Sequence, residues 1–91
     1  MSIGVYVHPA SLTAQQYDDA FRRLEQAGAG KPKGRIFHSC FGESGGLSVY
    51  EAWESQADYD AFGKTLMPIL AEIGIDPGTP DVVPMHNLVL G

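Results

Sequence analysis

The sequence predicts an α+β fold in which four antiparallel strands form one sheet and two helices cover one of its faces. Three observations carry that reading. Short alternating apolar segments open and close the chain. Two more flank a Gly-rich turn, Glu43-Ser44-Gly45-Gly46, which is the pattern of half-buried strands joined by a hairpin. Between these run two longer stretches whose apolar residues recur every three or four positions, as in amphipathic helices. The order β-α-β-β-α-β is that of the ferredoxin-like fold, with strands in spatial order 4-1-3-2. A chain of 91 residues is read as one domain spanning 1–91.

Each element has its own signals. Ile3 to His8 alternates Ile3, Val5 and Val7 against Gly4, Tyr6 and His8, and Pro9 ends the strand because it has no N–H to give. Thr13 to Ala27 reads as a helix. Thr13 and Gln16 are spaced for a capping box, and Leu12 and Tyr17 for a hydrophobic staple. Tyr17, Phe21 and Leu24 form its apolar stripe, and Gly28 and Gly30 stop it. Lys33 to Phe41 and Leu47 to Trp53 read as the hairpin strands. A turn centred on Ser44-Gly45 sets Ile36 opposite Trp53, His38 opposite Glu51 and Cys40 opposite Val49 on one face. Phe37–Ala52, Ser39–Tyr50 and Phe41–Ser48 then share the other. Ser55 to Ile73 reads as a second helix, capped by Ser55, kinked or interrupted near Lys64 by Pro68, and ended by Gly74. Val82 to Leu90 reads as the last strand, held to a sheet edge or bulged by Pro84.

Composition excludes several function classes. Six Lys and Arg against 11 Asp and Glu give a net charge of −5. This balance argues against nucleic acid as a partner and against docking on an anionic membrane, both of which require basic clusters. No apolar run approaches the ~20 residues that span a bilayer, and no basic stretch followed by a long apolar run opens the chain, so no secretion signal is expected. A lone cysteine, Cys40, allows no intrachain disulfide and fits a reducing, cytoplasmic compartment. The two helices can cover one sheet face only. The other face, read as carrying Tyr6, Ile36, Val49 and Trp53, is too apolar to stay wet. A second copy laid sheet against sheet about a two-fold axis would bury it, so a homodimer is expected.

The stretch Val49-Tyr50-Glu51-Ala52-Trp53-Glu54-Ser55, leading into Asp58-Tyr59-Asp60-Ala61-Phe62, resembles the third strand and second helix of the dimeric α/β-barrel superfamily. Its best-known members are antibiotic biosynthesis monooxygenases. Pro84-Met85-His86-Asn87-Leu88-Val89 resembles the last strand of some members. The resemblance implies a homodimer with a barrel cavity for a hydrophobic or aromatic small molecule, and a Trp, here Trp53, lining that cavity. It also implies oxygenation without a cofactor. The resembling enzymes carry an Asn on the first strand, where this chain has Gly4, Tyr6 and His8.

The sharpest constellation in the sequence is His38 with Glu51, opposite each other in the expected hairpin, with Trp53 diagonal to His38. A carboxylate fixes the tautomer of an imidazole and raises its basicity, which suits a general base. The plainer reading is a cross-strand polar pair of under ~1 kcal/mol. His8 is a second candidate base. Tyr6 and Trp53 are candidates to pack against a bound ring. His86 joins them if the last strand pairs it with Tyr6. The three histidines lie on three strands with no HxH or HxxxH spacing, so neither a metal nor another cofactor is expected. Cys40 shares the face of His38 two residues along, roughly 6–7 Å away, too far for an activating hydrogen bond. Lys31, Lys33 and Arg35 read as a solvated loop entering a strand. An isomerase or decarboxylase would need the same groups as a monooxygenase. A non-catalytic ligand-binding or stress-related dimer would need only a filled barrel.

Overall fold

The computed structural model describes residues 1–91. In chain order it contains β1 (Ile3–Val7), α1 (Ala14–Gln26), β2 (Arg35–Phe41), β3 (Ser48–Trp53), α2 (Gln56–Ile73) and β4 (Asp81–Pro84). The strands form one antiparallel sheet in the order β2-β3-β1-β4, which is the predicted 4-1-3-2 read from the other edge.

Local chemistry explains the helix ends. Thr13 caps α1: its side chain accepts from the Gln16 N–H at 3.1 Å, and Gln16 Oε1 accepts from the Thr13 N–H at 3.0 Å. The expected capping box is therefore present, and a cap of this kind contributes ~1 kcal/mol. At the far end Gly28 takes φ +76°, and the Gly28 and Ala29 N–H groups turn back to the carbonyls of Glu25 and Leu24. Ser55 caps α2 by accepting from the Asp58 N–H, and Gly74 at φ +88° closes it. Pro68 does not interrupt α2, which runs unbroken from Gln56 to Ile73. Pro68 and Lys64 are both exposed, so the Lys64 carbonyl that loses its N–H partner is left to water.

The hairpin register matches the prediction from Phe37–Ala52 through Phe41–Ser48, including His38 opposite Glu51. It departs at the open end. Arg35, not Ile36, pairs with Trp53, because a bulge between Arg35 and Phe37 leaves Ile36 as the extra residue. A bulge reverses which face the following or preceding side chain takes. Here it turns Ile36 outward, where it is exposed, and Arg35 inward. The expectation that Arg35 is a solvated loop residue is thereby overturned.

A second correction concerns the faces. β1 pairs with β3 so that Ile3 meets Trp53, Val5 meets Glu51 and Val7 meets Val49. Trp53, Glu51, Val49 and His38 therefore share the face of Ile3, Val5 and Val7, beneath the helices. One core cluster joins Ile3, Val5 and Trp53 of this face to Leu24 of α1 and Phe62 of α2. A second joins Leu12, Ala20, Leu47, Leu70 and Ile75, with Tyr17 packed against it. The opposite face, which no helix covers, presents Tyr6, Phe37, Tyr50, Phe41 and Val83. The last strand is also shorter than predicted. β4 ends at Pro84, and after one more hydrogen bond, from the Met85 N–H to the Ser2 carbonyl, residues 86–91 leave the sheet. Tyr6 pairs with Asp81 across the β1–β4 ladder, not with His86.

Candidate active site

The sheet face under the helices is not filled to the end. A cavity of about 160 Å³ lies between it and both helices, inside a single chain. Its walls are mostly apolar, with Phe21 from α1, Phe62 and Leu66 from α2, and Val7 and Val49 from the sheet. Its polar residues are few: Tyr17, Arg35, His38, Glu51 and Tyr59.

Four of these polar side chains join with Trp53 into one network. Glu51 is the hub. This carboxylate is buried, and each of its oxygens has a donor. Oε1 accepts from the Trp53 indole N–H at 3.0 Å, and Oε2 lies 2.5 Å from His38 Nδ1. The Arg35 guanidinium sits 3.8 Å from Oε2, with side-chain exposures of 12% for Arg35 and 7% for Glu51. Arg35 is itself held by the Gly30 carbonyl and lies over the Phe62 ring. On its other side His38 Nε2 meets the Tyr17 hydroxyl at 2.6 Å. A buried charge survives only when it is paired and hydrogen-bonded; Glu51 is both, and no buried side-chain polar atom in the chain lacks a partner.

The protonation states follow from this connectivity. An ionised carboxylate only accepts, so His38 presents an N–H at Nδ1, and in the neutral imidazole Nε2 is left as an acceptor. Against the neutral ring Tyr17 donates to Nε2. Burial, reinforced by neighbouring Cys40, pushes the Tyr17 hydroxyl up to about 12, so it keeps the proton it donates. Burial and the nearby Glu51 charge raise Tyr59 as well. Burial also raises the Cys40 thiol, with Asp18 adding to it, so Cys40 is not poised as a nucleophile.

Each placement has a local cause. His38 and Glu51 meet because the antiparallel register sets them directly opposite on a common face. Tyr17 reaches them because the N-terminus of α1 is pinned to the hairpin turn: the Gly45 and Leu47 N–H groups donate to the Leu12 carbonyl, and the Ala14 N–H donates to Ser44 Oγ. The stripe Tyr17, Phe21 then stacks over the imidazole, with both ring centroids about 6 Å from it.

The sequence-predicted residues divide cleanly in space. His38, Glu51 and Trp53 come together, although Trp53 is fully buried behind the cavity and orients Glu51 instead of lining the space. Tyr6 and His8 lie on the far side of the sheet, their rings 4.8 Å apart, with His8 near Asp81 at 3.4 Å and largely exposed. His86 is exposed beyond β4. Tyr17 and Arg35 are site residues that sequence reasoning missed. No three His, Cys, Asp or Glu side chains converge where they could hold a metal ion.

No protein-family model matches the sequence, and no curated protein matches it significantly. Solved structures do. SnoaB from Streptomyces nogalater, a cofactor-independent oxygenase, superposes in mutant form with a TM-score of 0.70 at 9% identity, over 97% of this chain and 96% of that one. A Chloroflexus aurantiacus protein assigned as an antibiotic biosynthesis monooxygenase superposes at 0.65, with 16% identity over 100% of both chains. A Caulobacter crescentus protein with the same assignment superposes at 0.66, with 18% identity over 97% of this chain and 91% of that one. The chain shares its fold with these proteins. At such low identities the shared object is the backbone, and the Tyr17–His38–Glu51 chain is read from this protein's own side chains.

Proposed function

We propose that the protein binds a hydrophobic or aromatic small molecule in the cavity and removes a proton from it, with His38 as the base and Glu51 as the group that orients the base. The observation that carries this is the unbroken chain from Glu51 through His38 to the Tyr17 hydroxyl, with contacts of 2.5 and 2.6 Å, ending at an apolar cavity. A ligand proton passes to Tyr17 Oη as Tyr17 passes its own to His38 Nε2. The imidazolium so formed is held against the Glu51 carboxylate, in a setting where opposite charge is worth more than in water. What remains in the cavity is an electron-rich anion, the species that dioxygen attacks when an oxygenation proceeds without a resident cofactor. SnoaB, which shares the fold, is such an oxygenase, and this supports a monooxygenase-like reaction here.

The working unit of this reading is a homodimer. Tyr6, Phe41 and Val83 are exposed to 37%, 50% and 55% on the sheet face that no helix covers, and a second copy would remove them from water. The test of function is oxygen uptake with a panel of phenolic compounds, comparing the protein with His38→Ala. Loss of uptake by about 10²- to 10⁴-fold is the expected result for removal of a general base. Uptake unchanged by the substitution would refute the assignment. Binding without turnover in either protein would favour the non-catalytic, ligand-binding reading.

A further inference from the structure

Arg35 stands at the cavity wall with more hydrogen-bonding capacity than the resting site uses. The bulge in β2 turns it inward in place of Ile36, although burying a guanidinium is costly and burying an isoleucine is favourable. Glu51 does not need it for hydrogen bonding. Both carboxylate oxygens already have a donor, Trp53 at 3.0 Å and His38 at 2.5 Å. Arg35 Nη1 stops 3.8 Å from Oε2, beyond the about 2.7–3.2 Å of an N–H···O hydrogen bond. The guanidinium makes one hydrogen bond, from Nη2 to the Gly30 carbonyl at 3.0 Å. Nε and Nη1 make none, yet no fully buried side-chain polar atom lacks a partner. Both nitrogens are therefore reachable, and the space that Arg35 borders is the cavity.

Charge balance gives those donors a use, and the argument rests on the proton transfer proposed above. Before transfer Glu51 is the counter-ion of Arg35. The other titratable groups around them, Tyr17, His38, Tyr59 and Cys40, are then uncharged. One proton passes from the ligand to Tyr17 Oη and the Tyr17 proton passes to His38 Nε2. The ligand is left with one negative charge and the imidazole with one positive charge. The imidazolium takes the Glu51 carboxylate at 2.5 Å. Arg35 is then a second cation beside the same carboxylate oxygen and calls for another counter-ion. Burial and Cys40 raise the Tyr17 hydroxyl, and Arg35 acts in the opposite sense, so its charge is felt at the oxygen that the ligand meets. We infer that Arg35 is a further catalytic residue, which exchanges Glu51 for the ligand anion and donates to that anion from its free N–H groups. A fixed positive charge then stands where negative charge develops, which lowers the barrier to forming the anion.

The dye p-nitrophenol tests this without turnover, because its phenol and phenolate forms absorb at different wavelengths and their ratio can be read in the bound state. The spectra are taken at one pH, below the dye's own ionisation. The unmodified protein should hold a larger phenolate share than free solution does. Arg35→Met should lower the bound phenolate-to-phenol ratio by about 10- to 100-fold, the factor given by one hydrogen bond to a charged group. Arg35→Lys, which keeps the charge, should recover part of the loss. An unchanged ratio in Arg35→Met would overturn the role of Arg35. So would a rise: if Arg35 acted only through Glu51, its removal would leave the whole carboxylate charge to the His38 imidazolium and favour the phenolate. Should Arg35→Met fail to fold, the ¹⁵N–¹H signals of the Arg35 side chain in the unmodified protein give a second readout. They should move with p-nitrophenol and much less with p-nitroanisole, which has no proton to lose; equal shifts, or none, would overturn the assignment. Failure of either kind leaves the cavity as a ligand site so long as the dye shifts the NMR signals of Tyr17 and His38. If p-nitrophenol does not bind, or binds without shifting them, the reading of the cavity falls and the role of Arg35 falls with it.

Discussion

Glu51 is the residue on which most of the site depends. It receives the Trp53 indole N–H and His38 Nδ1 and balances the Arg35 charge. Glu51→Leu keeps a side chain of similar reach but strands two donors and leaves the nearly buried Arg35 charge without its counter-ion. A cost of ~3 kcal/mol is expected, measurable as a lowered midpoint of urea unfolding. Tyr17 gives a pH signature. Its folded value of about 12 lies above the ordinary 10, so the native state holds this proton more tightly than the unfolded chain. The stability it contributes is complete below pH 10 and is lost as pH rises toward 12. Tyr59, raised by burial, acts in the same direction. Unfolding midpoints measured from pH 9 upward should fall, and fall less steeply in Tyr17→Phe. The His38–Glu51 pair was legible in the sequence because a strand alternates faces with period two and the Gly-rich turn sets the register. Tyr17 was legible only as an apolar ring on a helical stripe. That its hydroxyl meets an imidazole 21 positions away depends on how α1 docks, which no local pattern encodes.

Among the elements, the open end of the β2–β3 hairpin shows most clearly what a pattern misses. A regular ladder would set Ile36 against Trp53, and alternation favours it, since Ile36 is the apolar residue of the pair Arg35-Ile36. The bulge inverts that choice and aims Arg35 at Glu51. The signal was Gly34, a glycine at φ +87° just before the strand, where an added Cβ would run into the Asp58 carboxylate of α2. Gly45 in the hairpin turn, at φ +95°, has open space around it. Gly45→Ala should therefore carry only the backbone penalty of ~1–2 kcal/mol. Gly34→Ala adds a steric clash between the strand entry and α2, and should cost at least ~1 kcal/mol more. Thermal unfolding of the two variants side by side checks the difference. β4 fell short of its predicted length for a simpler reason: Pro84 offers no N–H, and the chain leaves the sheet one residue later.

Seen as a whole molecule, the fold has one closed face and one open face. Element order was enough to predict the sheet and its strand order, since each strand and helix carries its own punctuation. Which face of the hairpin joins which face of β1 was not, because that rests on the β1–β3 register, a pairing between segments some 45 residues apart with no turn between them. With Trp53, Val49 and His38 now under the helices, the open face is left to Tyr6, Phe41 and Val83, and it still asks for a partner. The dimer proposal predicts twice the chain mass in solution, with Phe41→Asp shifting the protein to monomer while the cavity, on the other side of the sheet, keeps its ligand. Light scattering with a binding titration reads both. A monomeric parent protein would refute the dimer without touching the site.

Whether His38 is a base of fixed tautomer is read by ¹⁵N NMR of its imidazole. Nδ1 should be protonated, with its proton shifted far downfield by the short contact to Glu51, and Nε2 unprotonated and accepting from Tyr17. Glu51→Gln should remove the downfield proton and Tyr17→Phe should move the Nε2 resonance. A proton on Nε2, or an imidazole exchanging freely between tautomers, would rule out His38 as a base held in one tautomer by Glu51.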